Sequence, residues 1–404
     1  MNNPSSITIA VISDLHCTSQ KGTQRITHLH GELTPVPKNR HPVESLKSLS
    51  INADYLICTG DIADKGDCKG YYDGMRYIQD LQKKLGAKRM IILNGNHDIN
   101  LNATDTCRHM KDYDCDVFND PKYWSNHYKI IEDDTLQIIK LYMNKYFPSA
   151  TLVEMPKIDT SFHITNSESL NTQPSFDHYL FQKLNDELSQ LASSDKIKIA
   201  LCHHHPLNHS DMDDIYKKND VIDRGDTLLD LLKKNDFDLI IHGHKHFPKI
   251  RNYEDLVIFC AGSFASLENV IEYGQKNTFH ILEINKVNHN CQGIIHTWIF
   301  AHNAGWKQPD TKTLFPAKTG FGYHEKNVKA LADELIQKNK KWYYKEKYNV
   351  HLPFIDVLRQ FPALEFLDPS QQEELETYLR EKWKIIVYPS LLLGADHLCK
   401  MLTD

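Results

Sequence analysis

The 404-residue chain has few cysteines: the nine are odd in number and scattered, and none stand as Cys-x-x-Cys. That pattern argues against a disulfide framework and a zinc ribbon and fits a reducing compartment. Positive charge is also short. With 47 Lys and Arg against 53 Asp and Glu the net charge is −6, so no global basic field gathers nucleic acid. Long apolar runs are missing as well. The run Ile7 to Ile12 meets Asp14 before it reaches the length of a signal-peptide core, and no stretch approaches a membrane span. These absences predict a soluble, cytoplasmic protein without a membrane partner. A hydrophobic content of 41% and a charged content of 25% exclude a disordered composition. The length calls for one large domain with an appendage, or for two domains.

Histidine is abundant, with 23 copies, and several stand in short polar runs. Asp14-Leu15-His16, Gly60-Asp61, Gly95-Asn96-His97-Asp98, His204 before Pro206, and His244-Lys245-His246 follow one another along the chain. Each comes directly after a β-branched apolar run: Ile7 to Ile12, Asp54 to Thr59, Arg89 to Leu93, Ile197 to Leu201, and Asp238 to Ile241. Such runs read as buried strands, and Met75, Ile78, Leu81 and Leu85 recur at helical spacing between two of them. The order is β-α-β, and the polar runs fall at the carboxyl ends of strands, where open α/β sheets place their ligands.

Leu228 to Leu232 reads as a helix. Leu256 to Cys260, Thr278 to Ile284 and Gly293 to Phe300 read as strands, expected to pair antiparallel in a second sheet. From about Thr104 to Asp195 the motif spacing swells, with a helix expected from Asp177 to Leu191. We read the stretch as an insertion that either covers the site or makes a surface excursion. The domain division expected is 1–310 for a catalytic domain and 311–404 for a helical extension. In the latter, His324 to Lys341 is amphipathic and Asp368-Pro369-Ser370-Gln371 is a helix start with a capping box. Leu375, Tyr378, Leu379 and Trp383 then share a face, which serves core packing or a homo-oligomer contact.

Asp14 and His16, two residues apart, can point the same way, and a carboxylate with an imidazole suits a divalent first-row metal. Asp61 adds a carboxylate able to bridge two ions, Asn96 an amide oxygen, and His204, His244 and His246 ring nitrogens. These seven side chains contain no thiolate, which favours manganese, iron, zinc or nickel over calcium or copper(I). Two ions about 3.5–4 Å apart clamp the attacking and leaving oxygens of a phosphoryl displacement. His97 is left over as a general acid for the leaving group, with Asp64 preferred to Asp98 as the carboxylate that orients its ring.

The order Asp-x-His, Gly-Asp-x-x-Asp, Gly-Asn-His-Asp, His, Gly-His-x-His resembles the calcineurin-like metallophosphoesterase superfamily from Asp14 to His246. The resemblance implies a four-layer α/β/β/α sandwich of two mixed sheets. It implies that Asp14, His16, Asp61 and His246 hold one metal and Asp61, Asn96, His204 and His244 the other, with a bridging hydroxide as nucleophile. His204 is chosen from the triplet because the family's ligand usually stands two residues before a proline. His203 and His205 are then left to face the substrate or to pack.

Within the superfamily the chain looks most like the small-molecule phosphodiesterases, through Ser13 to His16, Gly95 to Asp98 and His204-His205-Pro206. A phosphate ester, with a nucleotide among the candidates, is therefore the expected partner, and manganese the expected activating ion in vitro. A phosphomonoesterase and a DNA nuclease are the alternatives from the same chemistry, the latter disfavoured by the charge. A non-enzymatic scaffold on the same fold is the alternative of another class. Lys65, and Lys21, Arg25, Lys38 and Arg40 in the loop from Cys17 to His41, are candidates for substrate phosphate contacts or solvated charges.

Overall fold

The computed structural model describes residues 6–19, 26–29, 40–98 apart from 66 and 94, four strands between 128 and 164, single positions between 182 and 189, 196–207, 221–267, 276–310, and 315–401. Short gaps fall at 223, 288–289, 325–326 and 345–350. Contacts divide the chain into two compact units, one of Ile7–Ile281 with Trp298–Lys307, the other of Leu282–Thr297 with Met1–Ser6 and Gln308–Asp404.

The first unit is built on short β-branched strands. β1 (Ile7–Ile12), β2 (Tyr55–Cys58) and β3 (Arg89–Ile92) pair in parallel. Between them, α1 (Pro42–Leu46) is capped by His41, and α2 (Cys68–Leu85) runs from the N-cap Asp67 to Gly86, whose φ of 67° only glycine adopts at low cost. Tyr71, Met75, Ile78, Leu81 and Leu85 bury one face of α2 against Leu56, Cys58, Met90 and Ile92, a contribution of about 1.5–3 kcal/mol for each side chain.

The second sheet takes β4 (Tyr128–Glu132), β5 (Leu136–Leu141), β8 (Ile197–Leu201), β9 (Leu239–His242), β10 (Lys249–Tyr253) and β11 (Leu256–Cys260), in the order β10-β11-β9-β8-β5-β4. β5, β8, β9 and β11 run parallel, and β4 and β10 lie antiparallel at the edges. A separate ribbon pairs β6 (Thr151–Glu154) with β7 (Ser161–Ile164). α3 (Gly225–Lys234) covers this sheet through Leu228, Leu229 and Leu232, packed on Ala200, Cys202, Ile240 and Ile258. The residues that alternate with these, Val11 and Ile57 on the first sheet and Leu201, Ile241 and Phe259 on the second, are buried too. Both faces of each sheet are therefore covered, as a four-layer sandwich requires.

Two expectations are corrected here. β12 (Thr278–Val287) and β13 (Asn290–Ala301) join the first sheet beside β1 rather than the second, in the order β14-β13-β12-β1-β2-β3, with β14 (Gly305–Lys307) at the edge and β15 (Lys318–Phe321) also paired to β13. Periodicity identifies a strand but not its neighbour. Likewise β4 and β5, inside the stretch read as an insertion, are strands of the second sheet, with β5 paired to β8. Of the helix expected from Asp177 to Leu191, the described residues Gln182, Asn185, Asp186, Leu188 and Ser189 are helical, and the rest of the stretch lies outside the described residues.

The second unit has its own core. α4 (Val328–Lys338), α6 (Phe354–Gln360) and α7 (Pro369–Trp383) bury Leu331, Leu335, Val357, Leu375 and Leu379, and the short α5 (Lys340–Tyr343) and three short strands, β16 (His351–Pro353), β17 (Ile385–Tyr388) and β18 (His397–Lys400), accompany them. Both bonds of the Asp368/Gln371 capping box are present. The stripe on α7 is used within this unit: Leu375 and Leu379 are buried, and Tyr378 and Trp383 donate to Asp333 of α4. No helix among the described residues is long and apolar enough to cross a membrane.

Candidate metal centre

The turns that leave β1, β2, β3, β8 and β9 meet at one end of the sandwich. Backbone bonds lace the first two together: Asp14 N–H donates to Gly60 O, His16 to Asp61 O, and Cys17 to Ile62 O, at 2.8–2.9 Å. Asp14, His16, Asp61, His244 and His246 all have positive φ, between 49° and 87°. That conformation costs about 1–3 kcal/mol at each non-glycine residue and concentrates where a site needs its side chains aimed. Two glycines let the turns close. A Cβ on Gly95 would stand 2.0 Å from Asp61 Oδ1, and one on Gly243 would stand 2.0 Å from Ser13 Oγ and 2.7 Å from Asp14 Oδ2.

The side chains converge in two groups that share Asp61. In the first, His16 Nε2 and His246 Nε2 lie 2.9 Å apart, Asp14 Oδ1 is 3.5 Å from His246 Nε2, and Asp61 Oδ2 is 3.7 Å from His16 Nε2. In the second, His203 Nε2 is 3.3 Å from Asp61 Oδ2 and 3.1 Å from Asn96 Oδ1, and His244 Nδ1 is 3.0 Å from the same amide oxygen. Nitrogen and oxygen donors 3–4 Å apart are spaced as they are around one ion with bonds of about 2.0–2.2 Å.

The triplet after β8 departs from expectation. His203, not His204, meets Asp61 and Asn96. Its Nδ1–H donates to the Thr59 carbonyl at 2.8 Å, which draws the ring toward the β2 turn and leaves Nε2 facing the donors. His204, one residue on, is half-buried with its ring 4.4 Å from that of His244. Asp98 is corrected as well. Its two oxygens accept from Ala63 N–H at 2.7 Å and Gly95 N–H at 2.9 Å, so it holds backbone and not the His97 ring. Asp64 takes that ring, its Oδ1 lying 3.0 Å from His97 Nδ1, while the His97 N–H donates to Asp61 Oδ1 at 2.8 Å. Ser263, which the sequence did not single out, donates its hydroxyl to Asp14 O at 2.7 Å. Lys21, Arg25 and Lys38 lie outside the described residues.

The electrostatics fit a cation. Burial raises the Asp14 carboxyl to about 7, against the pull of His203. Burial also opposes the charge on Asp61, but His203, His97 and His16 outweigh it and hold that carboxyl well below its ordinary range. His203 follows suit: burial disfavours its charged form, yet Asp61 and Asp14 raise the ring to about 9. The buried carboxylates thus demand positive charge, which a proton on His203 can meet in part and divalent cations in full. Burial lowers His246 to about 3 and His16 well below its usual value, so both rings keep a lone pair to give a metal. His97 behaves otherwise: burial works against its charge, but Asp61 and Asp64 raise it above the ordinary histidine value.

Residues 7–248 match the family described as calcineurin-like phosphoesterase, which is more than half of the chain. The chain belongs to the calcineurin-like phosphoesterases. With the family comes the coarse activity, metal-dependent hydrolysis of phosphate esters, and the expectation of two divalent ions, for which this phosphoesterase has the donors. No curated protein sequence matches it. Among solved structures, it is similar to a dimetal phosphatase from Danio rerio (11% identity, 74% of this chain and 100% of that one, TM-score 0.42). It is also similar to Vps29 from Entamoeba histolytica complexed with zinc (14%, 74% and 96%, TM-score 0.33). A third is the phosphopantetheinyl hydrolase of Mycobacterium tuberculosis (15%, 63% and 89%, TM-score 0.34).

Proposed function

We propose that this phosphoesterase hydrolyses phosphodiesters, with one cation held by Asp14, His16, Asp61 and His246 and the other by Asp61, Asn96, His203 and His244. When bound, the pair would acidify water at neutral pH and neutralise charge on the phosphoryl oxygens. Manganese is the activating ion expected in vitro, and iron, zinc and nickel suit the same donors. The remaining work falls to the chain's own groups. Asp61 would serve both ions, because its Oδ2 lies 3.7 Å from His16 Nε2 and 3.3 Å from His203 Nε2.

The observation that carries the reading is the His97–Asp64 pair beside those donors. Asp64 is 3% exposed and fixes Nδ1 of a ring that packs edge-on against His16 at 4.7 Å and remains 32% exposed. Nε2 is then the atom from which a proton passes to the departing alkoxide, which becomes an alcohol as the phosphorus–oxygen bond breaks. An ester of an ordinary alcohol has a poor alkoxide leaving group and profits from such a donor, whether monoester or diester, so the preference for a diester comes from the motifs. The likeness of Ser13 to His16 and Gly95 to Asp98 to the small-molecule phosphodiesterases supports the same choice, with nucleotides among the candidate substrates.

Manganese-loaded protein is expected to cleave bis(p-nitrophenyl) phosphate faster than p-nitrophenyl phosphate and to lose activity on chelation. On an alkyl phosphodiester His97→Ala should lower turnover roughly 10²–10⁴-fold with both ions retained, and on bis(p-nitrophenyl) phosphate far less, because p-nitrophenolate departs unprotonated. A preparation that cleaves only the monoester overturns the diester reading, and one that cleaves neither overturns the hydrolase reading. Loss of metal from the variant would show that His97 is a ligand.

A further inference from the structure

A second gathering of metal-binding side chains lies apart from the catalytic donors. His205, His242 and Cys260 each bring one ligand atom within 4.8 Å of the others, and all three are at 0% exposure. His242 ends β9 and Cys260 ends β11, and the parallel register sets them side by side. Ile240 and Ile258, two residues before them on the same faces, pack under α3, so the pair looks into that layer and away from the facing sheet. His205 is fixed by its own backbone, whose carbonyl accepts from Ile222 N–H at 2.8 Å, and its ring meets the His242 ring at 4.4 Å.

An aliphatic filling is the low-cost one for a fully buried place, and Ile240 and Ile258, one pleat earlier on the same faces, are of that kind. Two imidazoles and a thiol are instead a donor set for a borderline-soft ion. They contain no carboxylate, which disfavours magnesium and calcium. Around tetrahedral zinc, bonds of about 2.0 Å to nitrogen and 2.3 Å to sulfur put donors roughly 3.3–3.7 Å apart. With all three ligand atoms within 4.8 Å of one another, closure needs side-chain shifts of at most about an ångström. The Cys260 thiol donates only at 3.6 Å to the carbonyls of Gly243 and Ala261, so no strong hydrogen bond has to be given up in that shift.

We propose that His205, His242 and Cys260 form a third, structural cation site for zinc or a similar thiophilic divalent ion, with a water completing the tetrahedron. On binding, the thiol proton passes to solvent and the thiolate binds the ion, with no change of oxidation state. The ion would clamp the His203–His205 turn to the ends of β9 and β11, close to where His203, His244 and His246 must be held.

Sulfur makes the test specific, because the seven catalytic donors contain none. Full-length protein loaded with cobalt(II) should show a thiolate-to-cobalt charge-transfer band in the near ultraviolet, besides the weaker visible bands of nitrogen- and oxygen-bound cobalt. In Cys260→Ser the charge-transfer band should vanish, the visible bands should remain, and cobalt content should fall by one equivalent per chain. Absence of the band in the unaltered protein, or its persistence in the variant, overturns the proposal. Should Cys260→Ser fail to fold, X-ray absorption of the zinc-loaded natural chain decides: a sulfur shell at about 2.3 Å supports the site and its absence refutes it.

Discussion

Asp61 shows how much one side chain is asked to do. At 1% exposure its Oδ1 accepts the His97 N–H, its Oδ2 faces His203 and His16, and its backbone sits at a φ of 53°. Only a carboxylate surrounded by positive charge remains ionised there, so the residues that supply or replace that charge are the sensitive ones. The three consecutive histidines after β8 provide the sharpest discrimination. His203→Ala removes a ring nitrogen 3.3 Å from Asp61 and 3.1 Å from Asn96 and should cost one ion and most activity. His204→Ala should keep both ions. Metal content of the two dialysed variants checks this, and the reverse result would return the ligand role to His204. Composition could not separate the three, since they are chemically identical. The choice depends on the backbone turn and on the Thr59 carbonyl that captures His203, and neither leaves a mark in the local sequence.

At the scale of elements, the site exists because strand ends are pinned to one another. The start of β1 is tied to the start of β2 by Asp54, whose carboxylate accepts from Thr8 N–H at 2.9 Å and Thr8 Oγ–H at 2.8 Å, while Asp54 N–H donates back to Thr8 Oγ at 3.0 Å. Partial burial works against the charge, but the Thr8 bonds and Lys88 outweigh it and hold the carboxyl below its ordinary value. Asp54→Ala should therefore cost about 1 kcal/mol near neutral pH, a modest figure because the carboxylate is partly exposed. Since the folded value is depressed, this contribution is whole above the unfolded value and is lost as pH falls through the folded one. Denaturant titrations of both proteins should thus differ at pH 7 and converge in strong acid, and a difference that persists in acid would assign the effect to packing.

Past the end of β3, Gly95→Ala should drive a Cβ into Asp61, which follows β2. The expected outcome is retained secondary structure with loss of metal and of at least most turnover, read by circular dichroism and metal analysis. Strands and their terminal motifs were legible because β-branched runs ending in Asp, Asn or His leave few alternatives. The partners of β12 and β13 were not, because a period of two fixes which face is buried and says nothing of the neighbouring strand. β4 and β5 were obscured for another reason: Tyr128 to Leu141 mixes lysine and acidic residues into its apolar positions, as edge-side strands do.

On the scale of the whole molecule, the metal donors all belong to the first unit and the core of α4, α6 and α7 to the second. Two cores permit two separate perturbations. Leu375 is 1% exposed in the second core, among Leu331, Leu335 and Val357, and Leu375→Ala should cost about 2–5 kcal/mol through lost transfer energy and the cavity left behind. Because that core supplies none of the seven donors, metal content and turnover at temperatures below unfolding should match the unaltered protein. Metal removal should act the other way, lowering the stability of the first unit by the binding free energy it forfeits, about 2.7 kcal/mol at a free concentration one hundred times Kd. Calorimetry of the variant with and without chelator separates the cases. Two components that shift one at a time indicate units that unfold independently. A single transition moved by both changes indicates one cooperative body, in which case Leu375→Ala should also weaken metal retention on heating.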